Sequence, residues 1–222
     1  MTIEYNSIAK YIDHTLLAPQ ASAAQIDELC DQARAYGFAT VCVNPCRVRQ
    51  ASMRLQGSGV GVATVIGFPL GATSTQAKVQ EALQAAADGA SELDMVVNVG
   101  WIADGDWDAA RRDIAAVTHC TTLPVKVILE TCKLDPDQIV RATQIAAEAG
   151  AAFVKTSTGF GGGGATVEDV RLMKAHCGDM RVKASGGIRD LDTAIAMLEA
   201  GADRLGTSSG VAIATAAAAL VR

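Results

Sequence analysis

Two lysines sit where lysines are costly. Lys155 lies in "FVKTSTGF" (153–160) and Lys183 in "VKASGGIR" (182–189), each inside a short apolar run that leads into small hydroxyl or glycine residues. A buried ammonium is disfavoured unless it is paired, and burial pushes its pKa down. The same shift makes the amine a nucleophile, because an ordinary lysine is neutral in only about one molecule in a few thousand at pH 7. A second cation nearby increases the neutral share. Lys155 and Lys183 hold matching places in motifs 28 residues apart, so each can act as the other's neighbouring cation. One can then attack a carbonyl while the other stays charged and stabilises developing negative charge. Asp94 in "ELDMVVN" offers a carboxylate that can move protons, and Lys126 in "VKVILE" adds a third lysine.

A purely structural reading competes with this one. The lysines could pair with Asp94 and Glu130 in a buried polar network. Two carboxylates do not balance three ammoniums, however, and replacing such networks by apolar residues is often neutral or stabilising. Chemistry is therefore the better reason for keeping them. The role of Lys126 stays open between a rival nucleophile, a charge partner of Glu130 or Asp94, and a tuner of its neighbours, with an electrostatic role favoured.

The elements that must position these residues follow from periodicity. Strand-like runs cover Tyr11–His14, Thr40–Val43, Gly61–Ile66, Glu92–Val97, Val125–Leu129, Phe153–Thr156, Arg181–Ala184 and Arg204–Gly206, and most are spaced like βαβ units. Helical patterns lie between them. Ser22 with Gln25 reads as a capping box, Asp135 with Pro136 and Gln138 as a second helix start, and Thr166 with Asp169 as a third. Glycines close "ARAYGF", "AAADGAS", "AAEAGAA" and "MLEAGAD", as expected of helix ends. Eight such units predict a single-domain (β/α)₈ barrel over residues 1–222. An open doubly wound sheet would call for a dinucleotide fingerprint after the first strand, and "GFGGGG" follows the sixth. Alternation along the strands then puts Asp94, Lys126, Lys155 and Lys183 on the inward face, with apolar neighbours turned to the helices.

Composition bounds the partners. Half of the 222 residues are apolar, 19% are charged and the formal net charge is −5. That balance argues against a general nucleic-acid or anionic-membrane surface, so an anionic ligand needs a local cradle. The six cysteines form no C-x-x-C pair and no zinc spacing, and are read as reduced thiols. The N-terminal stretch lacks a basic-then-apolar signal, and the run Val211–Val221 is too short to span a bilayer. A cytoplasmic protein is expected, with no membrane or nucleic-acid partner, and a homo-oligomer, most simply a dimer.

Seven segments, "IDHTLL" (12–17), "TVCVNP" (40–45), "ELDMVVNVG" (92–100), "VKVILET" (125–131), "FVKTSTGF" (153–160), "VKASGGIR" (182–189) and "RLGTSSG" (204–210), run in order over nearly the whole chain. Together they resemble the deoxyribose-phosphate aldolases, a family of Schiff-base-forming class I aldolases. The resemblance implies reversible cleavage of 2-deoxy-D-ribose 5-phosphate to acetaldehyde and D-glyceraldehyde 3-phosphate, in deoxyribose catabolism, with no metal or organic cofactor. It implies Lys155 as the Schiff-base lysine, Lys183 as the second active-site lysine and Asp94 as the proton-transfer aspartate. Some members carry a tail tyrosine that reaches the site, whereas this chain ends "AAAALVR" and has only Tyr5, Tyr11 and Tyr36. Some also carry a basic residue where this chain has Phe160.

A phosphosugar substrate needs a phosphate cradle, and barrels often build one from the loops after the seventh and eighth strands. Here those loops bring Gly186 and Gly187 for close backbone approach and Ser208 and Ser209 as donors. Cys42, Thr156 and Lys126 complete the expected substrate contacts, and Asp13 and Thr15 lie near enough to support them. The run Gly161–Gly164 reads either as a mobile flap or as a connection. Two rival functions remain: another Schiff-base barrel enzyme of transaldolase-like type, and a phosphosugar-binding barrel without catalysis.

Overall fold

Apolar residues alternating with polar ones at period two make strands, and strands with two different faces need a layer on each side. A computed structural model describes residues 5–220 of the chain and resolves this demand as a closed barrel. Its eight strands are β1 (Ile12–Leu16), β2 (Thr40–Val43), β3 (Gly61–Ile66), β4 (Glu92–Val96), β5 (Val125–Ile128), β6 (Phe153–Lys155), β7 (Arg181–Ser185) and β8 (Arg204–Thr207). Every neighbouring pair is parallel, and β8 pairs with β1 to close the ring. The helices between them are α1 (Ala23–Tyr36), α2 (Val48–Leu55), α3 (Thr75–Ala87), α4 (Val99–Ala103), α5 (Trp107–Cys120), α6 (Pro136–Glu148), α7 (Val167–His176) and α8 (Leu191–Glu199), with α9 (Gly210–Leu220) after β8. This is the expected single-domain (β/α)₈ barrel.

The helix starts form as their sequences predict. Ser22 and Gln25 exchange both bonds of a capping box, at 3.3 and 2.9 Å, and Asp135 and Gln138 do the same at 2.8 and 3.0 Å. Thr166 accepts from the Asp169 N–H at 3.0 Å. Gly37 ends α1 at φ 67°, a conformation open to glycine without strain. Strand ends drift by a residue or two. Tyr11 closes a 3₁₀ turn rather than opening β1, and β1 runs on to Leu16, which pairs with Val43. Residues 1–4 and 221–222 lie outside the described part, and with them the start of the N-terminal stretch read for a signal and the end of the Val211–Val221 run. Among the described residues no helix is long and apolar enough to cross a membrane.

Two faces divide the core. Leu93, Met95 and Val97, with Val125, Val127, Leu129, Val154, Val182 and Ala184, belong to the main apolar cluster shared with the helices. Inside the barrel, Leu17, Cys42, Ala63 and Val65 form a small separate cluster with Phe68 against it. The barrel interior is thus apolar toward β2 and β3 and charged from β4 round to β1.

One ion pair lies buried outside the barrel. Lys78 of α3 donates to Asp113 of α5 at 2.6 Å and to the Val96 carbonyl at 2.9 Å, with both side chains fully buried. Thr75 donates to the other Asp113 oxygen at 2.7 Å. The pair ties α3 and α5 to the end of β4, the strand that carries Asp94. Asp113→Ala leaves Lys78 buried without its counter-charge and should destabilise the barrel by about 3–5 kcal/mol. Urea unfolding measures this, and a loss near zero would mean that the pair adds nothing.

Candidate active site

Asp94 sits at the centre of the interior. Its Oδ1 accepts from Lys126 at 2.7 Å, and its Oδ2 accepts from both Lys155 at 2.8 Å and Lys183 at 2.7 Å. Register explains the convergence: Asp94 pairs with Lys126 across β4 and β5, and Lys155 pairs with Lys183 across β6 and β7. Closure of the ring then turns all four side chains toward one axis. Asp13 of β1 joins from the other side, in ion pairs with Lys183 at 2.5 Å and Arg204 at 2.6 Å. Glu92, at the start of β4, pairs with Lys126 at 2.6 Å and Arg204 at 3.4 Å.

A cavity of about 390 Å³ opens at the C-terminal ends of the strands. Thr15–Ala18 line one side, and the loops after β6, β7 and β8 line the other. Lys155 is the one lysine of the network in its wall. Lys126 and Lys183 are wholly buried beneath. A more open hollow of about 600 Å³ beside the Gly67–Thr73 loop has Glu81 as its only ionisable wall residue and does not reach the lysines.

The sequence matches the model of the DeoC/LacD family aldolases over residues 7–216. The chain belongs to this family. It is 58% identical over 212 residues to a deoxyribose-phosphate aldolase of Thermococcus gammatolerans, covering 93% of this chain and 94% of that protein. The structure of a putative deoxyribose-phosphate aldolase from Coccidioides immitis superposes with a TM-score of 0.96 at 48% identity, covering 97% of this chain and 87% of the other. A deoxyribose phosphate aldolase from Aeropyrum pernix, whose structure is described as a unique tetramer, superposes with a TM-score of 0.91 at 33% identity, covering 97% and 93%. The activity of this aldolase is therefore the cleavage and formation of deoxyribose phosphate.

The electrostatics separate the three lysines. Burial lowers the Lys155 pKa and the Lys183 ammonium lowers it further, against the pull of Asp94. Burial works against charge on Lys183 too, but Asp13 and Asp94 outweigh it and hold that ammonium well above the ordinary lysine range. Lys126 is likewise raised, its burial outweighed chiefly by Asp94. Burial would raise the Asp94 pKa, yet the three lysines hold it well below the usual carboxylate range. Charge counting agrees. Lys126, Lys155, Lys183 and Arg204 face Asp13, Glu92 and Asp94, four cations against three anions. Loss of one proton balances the set, and Lys155, the lysine beside the cavity, is the one whose pKa is lowered.

Several expected partners lie elsewhere. Glu130 does not pair with any lysine. β5 ends at Ile128, and Glu130 takes φ 58° and ψ 59°, so the alternation that aligned it with Lys126 stops short of it. Its carboxylate instead accepts from the Thr158 N–H at 3.2 Å and from the Thr158 hydroxyl, holding the loop after Lys155. Thr156 does not line the cavity: its hydroxyl donates to the Ser185 carbonyl and accepts from the Ser185 N–H, both at 3.1 Å, which staples β6 to β7. Cys42 is also away from the wall, packed in the interior apolar cluster, where burial raises its thiol pKa. Lys126 lies beneath the cavity as a partner of Asp94 and Glu92.

Gly186 and Gly187 do line the cavity, at φ 86° and 82°, as does Ser208. Ser209 does not; its N–H donates to the Thr207 hydroxyl at 2.9 Å. Arg189, in the same "GGIR" loop, adds a cation to the wall that the motif contained but alternation did not single out. The glycine run packs closely rather than forming a free flap. A Cβ on Gly164 would stand 2.4 Å from the Gly186 carbonyl oxygen, and the Ala165 N–H donates to that same oxygen at 3.0 Å. Phe160 lies half-exposed at the cavity edge, edge-on to Phe68 with ring centroids 5.2 Å apart.

Removing Lys183 takes a cation from beside Lys155 and leaves Asp94 more free to hold the Lys155 proton. In Lys183→Leu both effects raise the Lys155 pKa, so the neutral amine appears only at higher pH. The rising limb of kcat/KM against pH should move up by about one unit. A limb that stays in place would show that the two lysines are not coupled.

Proposed function

We propose that this aldolase works through a Schiff base on Lys155, with Lys183 and Asp94 as its proton and charge partners. One observation carries the assignment: of the three lysines on Asp94, Lys155 alone borders the cavity, and it is the one whose pKa is lowered. The neutral Lys155 Nζ attacks the aldehyde carbon of the ring-opened sugar, and the carbinolamine loses water to give an iminium. Proton removal from the C3 hydroxyl breaks the C2–C3 bond. Its electron pair moves into the iminium to leave an enamine, and glyceraldehyde 3-phosphate departs. Protonation of the enamine at C2 and hydrolysis release acetaldehyde and restore Lys155.

Asp94 holds Lys155 and Lys183 on the same oxygen, so a proton can pass between the two nitrogens across about one hydrogen bond on each side. Its low pKa makes it a relay rather than a store. Lys183 stays charged and keeps the iminium electrophilic. Deprotonation of Lys155 relieves an excess, because the neutral amine is the form that balances the buried charges. The cavity volume of about 390 Å³ suits a small phosphosugar. The loops with Gly186, Gly187 and Ser208, with Arg189 beside them and α9 beginning at Gly210, offer donors and positive charge for the phosphate. The tetrameric Aeropyrum pernix relative supports an oligomer of identical chains, of which a dimer is the simplest form.

Two measurements test this reading. Borohydride reduction with acetaldehyde should tag Lys155 on peptide mapping, and Lys155→Leu should lose both the tag and cleavage. A tag on Lys126 in an active Lys155→Leu variant would refute the assignment. Ser208→Asp puts like charge against the phosphate and should lower kcat/KM for deoxyribose 5-phosphate by about 10–100-fold while sparing unphosphorylated deoxyribose. Equal losses for the two sugars would move the cradle elsewhere.

A further inference from the structure

The charged network does not end beneath the cavity. It runs the length of the barrel and reaches water again at the opposite end. Glu92 and Arg204 are the first residues of β4 and β8, so they lie at the N-terminal face, away from the mouth. Their side chains keep 15% and 11% of their exposure, while Asp13, Asp94, Lys126 and Lys183 keep none. Consecutive ion pairs of 2.6, 2.7 and 2.8 Å connect Glu92 to Lys126, Lys126 to Asp94 and Asp94 to Lys155. Arg204 connects through Asp13 and Lys183 to the same Asp94 oxygen, in steps of 2.6, 2.5 and 2.7 Å. Phe153, the first residue of β6, fills the floor between them. The Arg204 guanidinium lies 5.6 Å from its ring, the Lys126 ammonium 5.7 Å, and the exposed Arg181 stacks on it at 3.9 Å.

Nothing in the cleavage chemistry touches this floor, and neither Glu92 nor Arg204 can meet the sugar. A barrel floor needs no charge for packing, and a buried ion pair is weak evidence of stability. What the pair does control is the charge balance above it.

We propose that Glu92 and Arg204 are positioning residues that set the net charge of the buried network from the floor of the barrel, and so fix the pH at which Lys155 becomes a nucleophile. The inference rests on Lys155 being the Schiff-base lysine. Glu92 contributes a negative charge that favours the protonated amine, and Arg204 a positive charge that opposes it. The groups that face Lys155 directly are Asp94 of β4, Lys183 of β7 and Cys42 of β2; those around the floor pair are Asp13 of β1, Lys126 of β5 and Arg181 of β7. None of them is exchanged in the variants below. A charge three or four ion pairs away acts over roughly 10 Å and is worth about one pH unit in a site of intermediate dielectric.

The signs of the two changes are opposite, which a packing role would not reproduce. Glu92→Gln keeps the shape and an acceptor for Lys126 but removes the negative charge. The neutral amine is then favoured, and the rising limb of kcat/KM should move about one unit to lower pH. Arg204→Gln removes a cation and should move the limb about one unit to higher pH. The double variant restores the balance and should return the limb to its wild-type position, and Arg204→Lys should leave it there. Thermal melts run alongside separate loss of fold from loss of charge. Borohydride mapping of the wild type keeps the two hypotheses apart: a tag on a residue other than Lys155 overturns the Schiff-base reading itself. With the tag on Lys155, limbs that shift in the same direction, do not shift, or do not cancel in the double variant overturn the role of the floor.

Discussion

A single carboxylate accepting from three ammonium groups is the interaction on which the rest of the molecule depends. Asp94 can do so only because four strands bring their inward faces to one axis, and the three lysines can be buried only because Asp94 is there. Neither half is stable alone. An unpaired buried ammonium loses its hydration, and an unpaired buried carboxylate does the same. Together with Asp13, Glu92 and Arg204 they fill the interior from β4 round to β1 with charge, where most barrels place branched apolar side chains.

Access to the cavity and the number of carboxylate partners assign different work to like residues. Lys126 and Lys183 are beneath the cavity with carboxylates on two sides, and their protons are held tightly. Lys155 has Asp94 alone, a neighbouring ammonium, and an open side toward the cavity. The difference between a lysine whose proton is held and one whose proton is loosened is here a difference of partners and of access, since the side chains are chemically the same.

The loops at the mouth are held by bonds of their own. The strained Glu130 backbone aims its carboxylate at Thr158, Thr156 staples β6 to β7, the Ser185 hydroxyl donates to the Ser157 carbonyl at 2.6 Å, and the Thr207 hydroxyl donates to the Ile188 carbonyl. A non-glycine residue at φ 58° costs of order 1 kcal/mol. It persists because the carboxylate satisfies two donors of the loop after Lys155. The loops at the mouth are therefore packed against each other before any ligand arrives, which lowers the ordering cost of binding.

How much of this was legible without coordinates depends on the range of the interaction. Local chemistry reads directly: capping boxes at Ser22 and Asp135, glycines at helix ends, and the period-two alternation that turns Lys126, Lys155 and Lys183 inward all involve residues a few positions apart. Eight such units also leave little choice but a barrel. The motifs around Lys155 and Lys183 carried the family with them. What the linear order could not supply was pairing across the ring. Asp13 lies 191 positions from Arg204, and only closure of β8 onto β1 makes them partners. Alternation extended past the end of β5 put Glu130 in the network, whereas a left-handed backbone takes it out and gives its place to Glu92 and Asp13. The Thr156 hydroxyl is likewise spent on the Ser185 backbone, and the Ser209 N–H on the Thr207 hydroxyl. Residue type and period decided which groups point inward; the ring decided which of them touch, and thereby which lysine can lose its proton.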